Sequence, residues 1–202
     1  MAGFEKRKCT VYLLRHGEAT GNVCGGYYGR TDCPLTEMGH WQAASAGRRL
    51  QELRAAEPER ELLMLTSPLQ RAVDTAAAVC ETAGLDGEFM VEPDFQEIDF
   101  GRWEKCRYEE LAHEDPAACQ RLCDDWQNFC YPQGESFRMF SERVIAAWQK
   151  WQQLAIEQQK DMLIVSHGGV LKVIRIFAEG RSLEDFWRIR IELGEVQELV
   201  LS

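Results

Sequence analysis

Two arginines and two histidines stand at comparable places along the chain. Arg15 and His16 close the apolar run in "YLLRHGEATGN", Arg71 follows "ELLMLTSPLQ", and His167, Gly168 and Gly169 end "DMLIVSHGG". Arginine forks suit the oxygens of a phosphate, and helix N-termini beside them would add backbone N–H groups and a favourable dipole. Asn22 can donate one more hydrogen bond. Glycines at 17, 168 and 169 let the backbone come close. A histidine with a pKa near ~6.5 keeps a neutral ring nitrogen at pH 7, and arginines beside it depress that value further. Such a nitrogen attacks phosphorus without a metal to activate it. A phosphohistidine step followed by a water step divides one hard displacement into two easier ones.

An alkoxide leaving group also needs a proton. The stretch "DFQEIDFGRWE" supplies Glu97, Asp99 and Glu104 beside Phe95, Phe100 and Trp103. Apolar neighbours favour the protonated form of a carboxyl, but physics alone does not choose among the three. Each motif also has an ordinary structural explanation: Arg71 as a surface ion pair, "SHGG" as a tight turn. Their joint occurrence after successive apolar runs is what points to a site.

The elements that must position these groups are visible as patterns. Residues 9–14, 61–68 and 161–169 each read as an apolar strand leading into a helical segment. Strands alternating with helices predict a parallel sheet covered on both faces, with ligands at the carboxyl ends of the strands. Thr36 is the expected N-cap of one helix. Ser67 is the expected N-cap of another, with Pro68 at its first position, Gln70 completing a capping box and Gly84 as its stop. A third helix carries Phe137, Phe140, Val144, Trp148 and Trp151 at steps of three or four, which predicts a core stripe rather than a ligand platform. Residues 105–133, rich in Cys, Asp and Trp, read as a less regular insertion over the site. "RIRIELGEVQELVLS" reads as two strands around Gly194 at a sheet edge.

The 202 residues suffice for one good-sized core, and 45% apolar with 28% charged residues is ordinary for a soluble protein. A net charge of -10 argues against nucleic acid, which is held by clustered Lys and Arg. The start "MAGFEKRKCT" has basic residues without an apolar segment behind them, so neither an export signal nor a membrane span is expected. The expected location is the cytoplasm, where the eight cysteines would be thiols. Cys106, Cys119, Cys123 and Cys130 lie near His113, but their spacing is not that of a paired metal site; packing is the better explanation, and no metal or other cofactor is expected.

Together, "LLRHGEATGN", "PLTEMGHWQA", "SPLQRAVDTA", "EIDFGRWE", "GESF" and "IVSHGGV" resemble the histidine phosphatase superfamily, the phosphoglycerate mutase-like group, from roughly Thr10 to Ile176. The resemblance implies an α/β fold: a three-layer αβα sandwich with a mostly parallel central sheet. It implies one domain over 1–202, with a substrate-covering insertion at about 105–137. It makes His16 the phosphorylated nucleophile, and Arg15, Arg71, His167 and Gly168 the phosphate pocket. Asn22 touches the phosphate, and Glu97 is the proton donor. Ala19 stands where many relatives have Thr, which moves the hydroxyl to Thr20. The insertion, with "HED", "DWQN" and "GESF", is similar to that of bacterial α-ribazole phosphatases. This narrower likeness implies a small phosphorylated substrate, α-ribazole 5'-phosphate or the phosphorylated cobamide, in assembly of the cobalamin nucleotide loop. The alternatives are a broad sugar-phosphate phosphatase, a phosphoglycerate mutase or a silent phosphate-binding protein. The oligomeric state is left open.

Overall fold

In a computed structural model, which describes residues 8–201, the strands β1 (Thr10–Arg15), β2 (Leu62–Thr66), β3 (Met90–Val91), β4 (Asp161–Ser166) and β5 (Val196–Val200) form one sheet in the order β3-β2-β4-β1-β5. All neighbours pair in parallel except β5, which runs antiparallel along β1 at the edge. The basic stretch 1–7 lies outside the described residues.

Successive strand residues point to opposite faces, and both faces are apolar. Val11, Leu13, Leu63, Leu65, Met162 and Ile164 pack with α6 (Phe137–Gln158) and α7 (Gly168–Ala178). Tyr12, Leu14, Met64, Leu163 and Val165 pack on the other side with α2 (Glu37–Arg54) and α3 (Gln70–Ala83). This gives the three-layer αβα arrangement. Every residue of β4 is buried, as a central strand between two helical layers must be. Each such aliphatic side chain contributes about 1.5–3 kcal/mol of burial. The aromatic stripe of α6 is buried throughout.

Local signals held in part. Thr36 Oγ1 accepts from Gly39 N at 3.0 Å and caps α2, and Gly84 ends α3 in the left-handed conformation. Ser67 does not cap α3. That helix begins at Gln70 with Leu69 as its cap residue, and Gln70 N donates to Asp32 Oδ1 at 2.9 Å, so a loop supplies the missing acceptor. The Gln70 side chain bonds Asp74 instead of completing a capping box.

The chain end forms one strand, not two. The 188–193 stretch is not in the sheet: Ile191 O accepts from Arg15 Nη1 at 2.8 Å, and Gly194 N donates to Arg15 O at 3.1 Å. The 105–133 segment is more regular than expected, with α4 (Tyr108–Glu114) and α5 (Pro116–Asp124) joined at Asp115, whose side chain caps α5. Of its cysteines, Cys119 is buried but Cys123, one turn on, is exposed, so packing accounts for only one of the pair. Among the described residues no group of three or more His, Cys, Asp or Glu is placed to hold a metal ion, and no helix is long and apolar enough to cross a membrane.

Candidate active site

The register of β1, β4 and β2 decides where the polar residues meet. Arg15 pairs with Ser166 and Thr66 with Val165, so the three adjacent parallel strands end level with one another. His16 N then donates to Ser166 O at 2.9 Å, and Ser67 N to Val165 O at 3.0 Å. The loops after all three strands open on one edge, which brings Arg15, His16, Arg71 and His167 together.

His16 is 4% exposed, Arg71 2% and His167 1%. His16 Nδ1 lies 2.7 Å from Gly17 O, and Arg71 Nε lies 3.3 Å from His16 Nε2. A carbonyl only accepts and an arginine N–H only donates, so both bonds select the same tautomer: Nδ1 carries the proton and Nε2 presents its lone pair. Burial, then the Arg71 charge, push the His16 pKa down to about 3, with Arg15 adding to the effect and the Gly17 bond opposing it. The ring is neutral and nucleophilic at pH 7.

Arg71 is held by its other nitrogens, which donate to Gly29 O at 2.7 Å and Thr31 O at 2.9 Å. His167 meets His16 edge to face, with ring centroids 5.1 Å apart. Burial first, then Arg71, His16 and Arg15, hold its pKa well below the usual value. Its Nε2 is 2.8 Å from Ser67 Oγ, which also accepts from Leu69 N. When the Ser67 hydroxyl donates, the proton of the neutral ring sits on His167 Nδ1. That atom and Arg15 Nε are buried polar atoms without a protein partner, a condition costing about 1–3 kcal/mol each unless another group accepts from them. Two such donors flanking a nucleophile form a place for an oxyanion.

The three candidate carboxylates separate cleanly. Glu104 is committed to the chain, accepting from the backbone N–H of Gly29, Arg30 and Thr31. Asp99 Oδ1 accepts from Gly101 N at 2.8 Å. Glu97 instead reaches the loop of His167: its Oε2 accepts from Gly169 N at 2.9 Å and its Oε1 from Ile98 N at 3.0 Å. The absence of a side chain at Gly169 lets this carboxyl come close, since a Cβ would lie 2.3 Å from Glu97 Oε1 and the carboxyl would have to shift.

Other expected residues are placed differently. Asn22 is exposed, and its Oδ1 accepts from Ala19 N at 2.9 Å at the start of α1 (Thr20–Cys24). Its amide nitrogen is left as a donor. Ala19 is buried against Cys33 and Leu35, while Thr20 is exposed. Gly17 serves packing: a Cβ would meet Gly39 O of α2 at 2.3 Å. Its N–H donates to Thr75 Oγ1 at 3.0 Å.

Glu97 and Gly169 line two cavities. One, of ≈ 550 Å³, is walled by Tyr27, Phe100, Trp126, Tyr131, Phe137 and Phe186 among others. The other, of ≈ 370 Å³, is lined by Arg15, Gly168, Lys172 and Arg190. Phe137 and Phe140 thus belong both to the core stripe and to the wall of the larger cavity, a role their helical spacing does not reveal.

A buried histidine at the end of a central parallel strand, backed by arginines and a second histidine, defines a phosphoryl-transfer class of protein. The profile of the histidine phosphatase superfamily (branch 1) matches residues 11–202, and the chain belongs to that family. It is 36% identical over 184 residues to the adenosylcobalamin/alpha-ribazole phosphatase of Salmonella typhimurium, covering 91% of this chain and 86% of that one. The enzyme of the same name from Escherichia coli K12 is 33% identical over 187 residues, covering 91% and 86%. A solved structure of the alpha-ribazole phosphatase from Shigella flexneri superposes with a TM-score of 0.79 at 33% identity, covering 94% of this chain and 89% of that one.

Proposed function

We propose that this protein is a phosphomonoesterase that removes the 5'-phosphate of α-ribazole 5'-phosphate, or of the phosphorylated cobamide, through a phosphohistidine. The observation that carries the choice of substrate is the aromatic cavity beside Glu97. Rings set at its wall in edge and tilted contacts, such as Trp126 with Phe137 at 4.5 Å, suit a riboside whose base is flat and weakly polar. A small glycolytic acid would leave such a cavity unfilled. The names borne by the relatives support the same substrate.

In the first step the His16 Nε2 lone pair attacks phosphorus. The bond from phosphorus to the ester oxygen breaks, its electron pair stays on that oxygen, and the Glu97 carboxyl gives it a proton. Arg71 Nε turns from His16 Nε2 to the phosphoryl oxygens as the N–P bond forms. Arg15 Nε and His167 Nδ1 donate to the same group, and Asn22 and the Gly168 backbone complete its surroundings. In the second step water attacks phosphorus and yields a proton to Glu97. The N–P bond breaks with its electron pair returning to Nε2, and inorganic phosphate is released. Atoms balance as ester plus water to alcohol plus phosphate, with His16 and Glu97 restored.

We take the whole chain as one catalytic domain in which the 105–137 segment covers the substrate; its Leu122, Cys123, Trp126 and Tyr131 on the cavity wall support this. A cytoplasmic location fits the exposed thiols of Cys24, Cys123 and Cys130. The test is kcat/KM for α-ribazole 5'-phosphate, 3-phosphoglycerate, fructose 2,6-bisphosphate and a phosphotyrosine peptide. The first ester should dominate. A flat profile overturns the substrate assignment.

A further inference from the structure

Glu97 lies on a loop, and a loop holds a reacting group in register only if something fixes its backbone. That backbone is gripped by one side chain. Arg143, on α6, donates from Nη1 to Asp94 O at 2.6 Å and to Gln96 O at 3.0 Å, and from Nη2 to Glu97 O at 3.1 Å. Its remaining donors form a two-pronged pair with Glu135: Nε to Oε2 at 3.0 Å and Nη2 to Oε1 at 2.6 Å. All five guanidinium N–H groups are thereby accounted for. Glu135 Oε1 also accepts from Asp99 N at 2.9 Å, and Glu135 N donates to Asp99 O at 3.0 Å. The loop carrying Glu97 is thus held before it, at it and after it by a largely buried ion pair between α6 and the residue preceding its N-cap.

The face of Arg143 lies 5.0 Å from the centre of the Phe140 ring, and Phe140 lines the aromatic cavity with Glu97. The wall that receives the leaving group and the loop that carries the carboxyl are therefore tied to the same two turns of α6. A buried ion pair is weak grounds for stability, because desolvating both charges offsets much of their attraction. Three backbone carbonyls on one guanidinium are a geometric device, and lysine, with a single nitrogen, cannot reproduce it.

We propose that Arg143, held by Glu135, is the positioning residue that fixes the Gln96–Glu97 backbone so that the Glu97 carboxyl reaches the leaving oxygen. The inference rests on Glu97 being the acid. A displacement on the order of 1 Å at such a group can cost about 10²-fold in rate.

The experiment compares kcat/KM of Arg143→Lys, Arg143→Ala and Glu97→Gln on two esters. α-Ribazole 5'-phosphate must expel an alkoxide that needs a proton; p-nitrophenyl phosphate expels a phenolate that leaves without one. Because kcat/KM reports the steps up to loss of the leaving group, the later water step does not enter. If Arg143 positions Glu97, its variants lose about 10²-fold on the alkyl ester and only a few-fold on the aryl ester. They then reproduce the pattern of Glu97→Gln, and added guanidinium ion restores part of the Arg143→Ala loss. Equal losses on both esters, with the Glu97→Gln pattern intact, overturn the positioning role and leave Glu97 as the acid. If Glu97→Gln itself does not distinguish the esters, the acid is wrongly assigned and the inference falls with it. Melting temperatures identify a variant that fails to fold; should Arg143→Ala fail, Arg143→Lys decides on the same ratio.

Discussion

Arg71 Nε donates to His16 Nε2 at 3.3 Å, so the nitrogen expected to attack phosphorus is held by the arginine expected to bind the phosphate. One contact does two things: it selects the tautomer with Nε2 unprotonated, and it keeps a cation 3.3 Å from that nitrogen, which opposes its protonation. Lysine cannot make this bond while also donating to Gly29 O and Thr31 O. Arg71→Lys is therefore expected to lower kcat by about 10²–10³-fold, the loss seen when one donor to a developing oxyanion is removed. Steady-state kinetics on α-ribazole 5'-phosphate measure it. A loss confined to KM would mean that Arg71 binds ground state and transition state alike.

The depressed pKa values of the two histidines are also statements about stability. Both rings are held neutral in the folded state below the value near ~6.5 expected of the unfolded chain, so the unfolded chain takes up protons first as pH falls. Their contribution is fully present above pH ~6.5 and declines below it, for His16 until its folded value of about 3. His16 should add about 1.4 kcal/mol per pH unit to the loss in that window, and His167 should add to it with the same sign. Chemical denaturation at pH 7, 6 and 5 measures the slope, and His16→Asn and His167→Asn should each flatten it. An unchanged slope would show that the rings are protonated within the fold. By the same reasoning, kcat/KM should not fall between pH 7 and 6 through titration of His16.

The aromatic cavity makes a claim about which part of the substrate is recognised. Trp126, in the segment after α5, packs at 4.5 Å from Phe137 and 5.4 Å from Trp187 and lines the cavity. Trp126→Ala should lower kcat/KM for α-ribazole 5'-phosphate by about 10–100-fold, the range for losing a large apolar contact. It should leave kcat/KM for ribose 5-phosphate, which has no base, nearly unchanged. A parallel fall for both sugars' phosphates would place the effect on the phosphate site instead.

These groups differ in how far they can be read from the chain, for physical reasons. Arg15, His16, Arg71 and His167 are legible because each follows an apolar run buried on both faces, and such runs become adjacent parallel strands whose ends coincide. Ser67 is misread as a helix cap because local spacing cannot reveal that His167, 100 residues on, uses its hydroxyl. The donor at Gln70 N is met by Asp32, a partner 38 residues away in a loop without periodicity. Choosing among Glu97, Asp99 and Glu104 likewise needs the fold, because what separates them is which backbone N–H groups they meet: those of residues 29–31 for Glu104, that of Gly169 for Glu97. Helical spacing correctly buries Phe137 and Phe140 but says nothing of a cavity opening against one end of the stripe.

Gly169 offers a test of the Glu97 geometry that removes no functional group. A Cβ there would lie 2.3 Å from Glu97 Oε1 and 3.1 Å from the Phe140 ring, so the carboxyl has to move. The change is at the second residue of α7, where alanine is a better helix former than glycine by about 1 kcal/mol. Crowding and propensity therefore oppose each other in stability, while the effect on catalysis has one sign. Gly169→Ala should keep a melting temperature near that of the parent and lose kcat by about 10²-fold, the scale for a reacting group misplaced by about 1 Å. The loss should be larger for an alkyl ester than for p-nitrophenyl phosphate, since it is proton delivery to the leaving oxygen that is displaced. Full activity in a folded Gly169→Ala protein would mean that Glu97 acts from another position than the one its bond to Gly169 N defines.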